Sequence, residues 1–245
     1  MNVPGKIGII TQVRMTSTRL PGKVLMLAGG KSLLAHHIDR LKQTGLPIII
    51  ATTENATDNS VQEFADQNGL VCFRGSEENV LSRFYYAAIE NHLDTIIRVT
   101  SDCPFIDPGL ILQGIEVYNM KADENLYVSN CHQRTYARGF DFELFSFKSI
   151  KDAFENANEQ ADLEHVTPYI WKNKSGKISL AHIKQERDCS HFRVTVDTPE
   201  DFSLIKELIE KYHAETLSCR AIEDILLEHP ELVKINSHIE QKKVN

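Results

Sequence analysis

Residues 7–23 read IGIITQVRMTSTRLPGK. An uninterrupted apolar run gives way at once to polar and basic residues around a Leu-Pro-Gly turn. From Lys6 to Thr11 apolar and polar residues do not alternate, the pattern of a strand covered on both faces. The segments that follow repeat the theme. SLLAHHIDRLKQTG (32–45) puts Leu33, Leu34, Ile38 and Leu41 on one helical face, with Ser32 as the cap and Gly45 as the stop. PIIIATT (47–53) reads as a strand, DNSVQEFADQNG (58–69) as a helix and LVCFRG (70–75) as a strand. ENVLSRFYYAAIENH (78–92) is helical, and DTIIRVTSDCP (94–104) is a strand entering an acidic loop. Strands and helices alternating at this spacing predict a mostly parallel sheet with helices on both faces.

Beyond residue 104 the alternation loosens. Helices are expected over 108–122, 148–160, 162–173, 201–213 and 221–236, and strands over 126–130, 177–183 and 191–197. GFDFELFSF (139–147) alternates like a half-exposed strand, with Asp141 and Glu143 on one face. No Pro/Gly/Ser-rich linker and no internal repeat divides the chain. A single α/β domain over residues 1–245 is expected, parallel in its first half and mixed in its second.

With 42% hydrophobic residues the chain can bury a sizeable core, and 27 Lys and Arg against 34 Asp and Glu leave a net charge of −7. That balance argues against non-specific nucleic-acid binding, which needs a broad basic surface. A local basic pocket is still allowed. Cys72, Cys103, Cys131, Cys189 and Cys219 are scattered with no CxxC, and an odd count fits free thiols in a reducing compartment. IGII is too short for a signal-peptide core, and no stretch approaches the roughly 20 apolar residues that span a bilayer. The expected location is cytoplasmic, with no membrane partner.

Chemistry is concentrated in a few constellations. Arg14, Arg19 and Lys23 lie within ten residues of one another, and Pro21-Gly22 supplies a turn that lets them converge, with Ser17 and Thr18 as hydroxyl donors. Such a loop at the end of a parallel strand suits a polyphosphate. The other reading is a solvated basic turn. A turn lysine buries little apolar area, so in the phosphate-binding reading the loss of Lys23 is expected to cost turnover more than folding. Neither GxxxxGK[ST] nor GxGxxG is present. Asp102 ends one strand before Pro104 and Asp197 ends another before Thr198-Pro199; each either helps hold a cation such as Mg²⁺ or caps a turn. Asp107 reads as a helix cap with Pro108 behind it, and Thr198 as another with Asp201 three residues on. Glu77, Glu78 and Asn79 open a helix, where Asn79 either caps or touches the base or ribose. Arg134 and Arg138 could meet an acidic or phosphorylated second substrate, beside Asp141 and Glu143, while Glu164 and His165 could orient a sugar hydroxyl. For Arg134, Arg138, Asp141 and Glu143 the competing reading is an exposed, charged sheet face; for His165 it is an ordinary hydrogen-bonded polar group. No HExxH, GxSxG elbow or DxD at the central strand occurs.

IITQVRMTSTRLPGKVL followed by AGGKSLLAHHIDRL resembles the opening of the cytidylyltransferases that make CMP-Kdo and CMP-sialic acid. RVTSDCPFIDP, VSN, RTYARGFDFELFSF, EHVTPYI and FRVTVDTPEDFSLI, in this order, carry a nearer likeness to the branch of the spore coat polysaccharide biosynthesis protein SpsF. The resemblance covers residues 5–225. It implies a three-layer α/β/α nucleotide-diphospho-sugar transferase fold, frequently dimeric. It also implies that Arg14, Ser17 and Lys23, with Arg19 beside them, bind the triphosphate of CTP, and that Asp102 and Asp197 hold Mg²⁺. The implied reaction moves CMP from CTP to an acidic or phosphorylated sugar, releasing pyrophosphate, in polysaccharide or glycan biosynthesis. SDCP stands where the Kdo enzymes have a GDEP type of motif, and the sugar-side residues differ as well. A glycosyltransferase using a nucleotide-sugar donor and a non-catalytic sugar-nucleotide-binding subunit are the rival readings.

Overall fold

The computed structural model describes residues 5–241. β1 (Ile7–Gln12) leads through the basic loop to the hairpin of β2 (Leu27–Ala28) and β3 (Lys31–Ser32), then to α1 (Leu33–Lys42). β4 (Ile48–Thr53), α2 (Asn59–Gln67), β5 (Val71–Gly75), α3 (Val80–Glu90), β6 (Thr95–Thr100) and α4 (Pro108–Lys121) follow. The second half adds β7 (Leu126–Ser129), β8 (Glu143–Ser146), α5 (Phe147–Asn156), α6 (Gln160–His165) and α7 (Pro168–Trp171). It closes with β9 (Ser179–His182), α8 (Pro199–Tyr212), α9 (Cys219–Glu228) and α10 (Pro230–Val233).

Among the described residues a seven-stranded sheet runs β5-β4-β1-β6-β8-β7-β9. β5, β4, β1 and β6 are parallel, β8 opposes both of its neighbours, and β7 and β9 are parallel to each other. Successive residues of a strand face opposite sides, so Ile9 packs with α1, α4 and α8 through Leu34, Ile111 and Leu204, whereas Ile10 packs with α3 and α5 through Phe84 and Ile150. These two apolar layers give the α/β/α arrangement. Each fully buried Leu or Ile contributes about 1.5–3 kcal/mol of transfer free energy. Ser32 accepts from the Ala35 N–H at 3.1 Å, Asp107 accepts from Gly109 at 2.7 Å, and Thr198 and Asp201 form a reciprocal capping box. Caps of this kind stabilise by about 1 kcal/mol each. All five cysteines are free, and among the described residues no helix is long and apolar enough to cross a membrane.

Four local expectations need correction. The strand expected over 139–147 is confined to Glu143–Ser146 and is fully buried, because both of its faces are covered: Leu144 belongs to one apolar layer and Phe145 to the other. Asp141 therefore lies outside the strand and does not share a strand face with Glu143. Residues 191–197 do not form a strand; they make an isolated parallel bridge, Arg193 to Arg138, with the loop between β7 and β8. The helix expected over 162–173 is broken into α6 and α7 at Val166, whose φ is +71°, just before Thr167-Pro168. Pro230 likewise splits the last helix, since it has no N–H to continue the ladder.

Candidate active site

The loop after β1 is folded back on itself by backbone and side-chain bonds. The Val13 N–H donates to Ala51 O at 3.0 Å, the Met15 N–H to Asp58 Oδ1 at 2.8 Å, and the Gly22 N–H to Met15 O at 2.9 Å. Gly22 makes the closing turn at φ +70°, a conformation glycine adopts without steric cost. The turn sends Lys23 inward rather than into solvent: it is only 8% exposed. Its ammonium donates to Val196 O at 2.6 Å, Asp197 Oδ1 at 2.8 Å and Asp102 Oδ2 at 3.0 Å. Three segments far apart in sequence thus meet on one nitrogen.

Asp102 follows the C-terminal end of β6. Asp197 arrives on the irregular 191–197 segment, which lies directly against the Asp102 loop. The Val196 N–H and the Thr195 hydroxyl both donate to Asp102 O, at 2.8 and 3.0 Å. On its other side the segment passes the Arg138-Gly139 backbone, where a Cβ on Gly139 would stand 2.6 Å from the Val194 carbonyl carbon, so only glycine lets the two chains lie this close. Asp197 also pairs with Arg19 at 2.9 Å and Arg193 at 2.8 Å, while Arg193 is held by Asp201. Burial alone would raise the Asp102 carboxyl; the Lys23 ammonium, with Thr100 and Cys103, pulls it down to about 2. Burial opposes the charge on Lys23, but Asp102 and Asp197 hold its pKa above the ordinary lysine value.

A cavity of about 240 Å³ opens over this cluster, at the C-terminal ends of β1 and β6, where parallel sheets place ligands. Arg14, Ser17, Thr18, Arg19, Lys23, Asp102 and Asp197 all line it, as do Glu164, His165 and Arg83. Arg14 has no ion pair among the described residues and faces the cavity from its exposed position. The structure does not bring Asn79 to the cavity wall. Its side chain accepts from the Ser82 N–H at 2.9 Å and caps α3. Glu77 is engaged by Thr16 and Asn55.

A second cavity, of about 320 Å³, shares Thr100 and His165 with the first. Arg134, Arg138, Asp141, Glu143, His132 and Trp171 line it. Arg134 is paired with Asp141. Glu143 is spent within the protein: Arg98, Tyr127 and Thr167 all donate to it. Burial would raise its carboxyl, yet Arg98 and these hydroxyls hold it below the usual range. Arg138 keeps its head group free of ion pairs among the described residues, while its backbone bonds Phe192 and Val194 at 3.0 and 2.7 Å. His132 stacks on Trp171 with ring centroids 4.3 Å apart, making a flat wall. Burial, foremost, lowers the pKa of His165 at the junction and favours its neutral imidazole.

The family model for cytidylyltransferases matches residues 7–231 of this sequence. The chain belongs to the cytidylyltransferase family. It is similar to an uncharacterised protein of Methanocaldococcus jannaschii, 36% identical over 96% of both chains. It is also similar to the spore coat polysaccharide biosynthesis protein SpsF of Bacillus subtilis, 32% identical over 82% of this chain and 85% of that one. A solved cytidylyltransferase of Leptospira borgpetersenii superposes with a TM-score of 0.88 at 30% identity, covering 98% of this chain and 100% of that one. A CMP:2-keto-3-deoxy-manno-octonic acid synthetase complexed with CTP shares the fold, with a TM-score of 0.61 at 16% identity over 84% of this chain and 99% of that one. The nucleotide-diphospho-sugar transferase fold is thus the fold of this cytidylyltransferase.

Sequence reasoning on this cytidylyltransferase passed over Arg83, Arg98, Arg193 and the His132–Trp171 wall. Arg83 did leave a signal. Val80, Arg83, Phe84 and Ala87 follow the i, i+3, i+4, i+7 spacing of a buried face, and all four are buried. A charged residue on such a face asks for a partner. Arg98 left none, because its partners Glu143 and Gln12 come from distant segments. Arg193 has Asp197 and Asp201 close by in sequence, but a segment read as a strand gives no sign that it folds back onto them.

Proposed function

We propose that the chain moves CMP from CTP to an anionic sugar and releases pyrophosphate. The observation that carries this reading is the pair of joined cavities. One is rimmed by Arg14, Ser17, Arg19 and Lys23 over Asp102 and Asp197; the other bears Arg134 and Arg138. Cationic groups on both sides of the junction suit an anionic donor and an anionic acceptor meeting between them. Arg14, Arg19 and Lys23 offset charge on the triphosphate and the leaving pyrophosphate. His165, on the wall shared by the two cavities, orients the attacking oxygen and in its neutral form can accept its proton. Spore coat polysaccharide biosynthesis in the name of the SpsF relative supports a place in surface glycan synthesis.

Mg²⁺ fits the residues present. Asp102 and Asp197 aim hard oxygen donors at one point, and among the described residues no third acid, His or Cys joins them. Two carboxylates completed by substrate phosphates and water is the way proteins commonly hold this ion. When bound, it would withdraw charge from the phosphates. Lys23, which now stands between the carboxylates, would then turn toward the triphosphate.

Pyrophosphate release, screened across four nucleoside triphosphates and a panel of acidic and phosphorylated sugars, tests the reaction. Release with CTP and an acidic sugar is expected; release only with UTP or GTP would move the chain to another nucleotidyl transfer. Asp197→Asn tests the ion. It should remain folded, with some loss of stability because Lys23, Arg19 and Arg193 lose a counter-charge, while Mg²⁺-dependent turnover falls about 100-fold or more. Unchanged Mg²⁺ dependence would remove Asp197 from the site.

A further inference from the structure

Arg83 projects from the first turns of α3 and is among the largest fully buried side chains of the protein, at 2% exposure. It lines the first cavity together with Arg14. Its Nε and Nη1 find no hydrogen-bond partner among the described residues. The acids nearby are engaged elsewhere. Asp58 accepts from Met15 N, Thr52 and Thr53, and Glu77 accepts from Thr16 and Asn55. Nor is the position an accident of loose packing. Gly75, at the end of β5, keeps room for the arginine stem, since a Cβ there would stand 3.0 Å from Arg83 Cγ.

We propose that Arg83 is a second, buried guanidinium for the phosphate chain of the nucleotide, acting beside Arg14. The proposal rests on reading the first cavity as a triphosphate site, and it adds a residue on α3 to a site otherwise built from the β1 loop and two aspartates. A buried cation without a counter-charge is costly, and two like charges facing one cavity add to that cost. Burial first, and then Arg14, push the Arg83 pKa down to about 10, against the weaker pull of Asp58 and Glu77. A phosphate relieves both strains at once: it supplies the missing charge and offers paired oxygens to a forked donor. A neutral base edge would satisfy the N–H groups but leave the two charges uncompensated.

The test uses the full chain with inorganic tripolyphosphate and with CTP, each titrated calorimetrically into wild type, Arg83→Met and Arg83→Lys. Wild type should bind both. Arg83→Met should weaken both by the same factor, about 10- to 100-fold, and Arg83→Lys should lie between. Without ligand, Arg83→Met should unfold at the same or a higher temperature, because an unpaired buried charge has been removed. Weakening of CTP with tripolyphosphate unchanged would assign Arg83 to the base or ribose and overturn the proposal. So would affinities that do not move, a lower unfolding temperature as the only change, or no binding of tripolyphosphate by the wild type. Tripolyphosphate carries no base, so a preference for another nucleotide would refute the CTP reading while leaving this result intact.

Discussion

Lys23 carries more of the molecule than a turn lysine should. A Leu-Pro-Gly-Lys turn suggests an exposed side chain whose loss would spare the fold, but here its ammonium bridges two carboxylates and a carbonyl. Lys23→Met should therefore lower both turnover and stability. Turnover with CTP should fall about 100-fold or more, and chemical denaturation should show a loss of about 2 kcal/mol, since the part-buried Asp102 is left beside Asp197 without its cation. A variant as stable as wild type would mean that Arg19 and Arg193 alone neutralise the pair. The same contact sets an acid limit. Asp102 titrates near 2 when folded, below its ordinary value of 3.8. A depressed carboxyl contributes stability that is present above the unfolded pKa and is lost as pH falls through the folded one. The stability of wild type relative to Asp102→Asn should thus decline by about 2 kcal/mol between about pH 4 and about pH 2. A difference that stays flat across that window would exclude the pairing.

Placement of Asp197 depends on how the 191–197 segment is held. Its sequence, HFRVTVD, has the composition of a strand, yet it makes one bridge to Arg138 and otherwise follows the Asp102 loop. Gly139 lets the two backbones approach and sits at φ +115°. Gly139→Ala should cost about 2 kcal/mol or more, because both the conformation and the contact forbid a side chain, and turnover should drop as Asp197 shifts. Gly176→Ala is the control: φ is +75° there too, but nothing lies within 4 Å, so about 1–2 kcal/mol and no loss of turnover per folded molecule is expected. Equal activity losses in the two variants would argue against a positioning role for Gly139. Strands β1, β4 and β6 were readable because each carries consecutive apolar residues, Ile9-Ile10, residues 48–51 and Ile96-Ile97, rather than a strict alternation. β8 was misread as half-exposed because alternation along the chain does not reveal that its polar face is also covered, with Glu143 held by Arg98, Tyr127 and Thr167.

Ligand binding should be visible in the stability of the entire chain. If CTP binds the folded state alone, a concentration about 100 times Kd contributes about 2.7 kcal/mol. In a chain of this length that corresponds to a rise in melting temperature of about 5–10 °C. CTP with Mg²⁺ should produce it, and UTP, ATP and GTP at equal concentration should not. A rise shared by all four nucleotides would show a triphosphate site without base selectivity. The net charge of −7 offers no general attraction for such a ligand. The positive potential must be local, as the clustering of Arg14, Arg19, Lys23 and Arg83 around one cavity provides.

Hydrophobic periodicity, caps and turn residues act between near neighbours, so they are written in the chain. The alternation of β1 to α4, the caps at Ser32, Asp107 and Thr198, and the basic loop with its Pro-Gly turn could all be read there. The loop and the two strand-end aspartates could be named as chemistry, each with a structural alternative beside it. Their meeting could not be read in this way. Lys23 reaches Asp102 across 79 residues and Asp197 across 174, and that depends on strand order, on the reversed β8 and on the close passage of residues 191–197 past Gly139. Arg83 shows the same division. Its place on a buried helix face follows from spacing, but its lack of a partner is a property of everything packed around it. Burial and pairing arise between segments, and it is those that turn a basic loop, two aspartates and an arginine into one site.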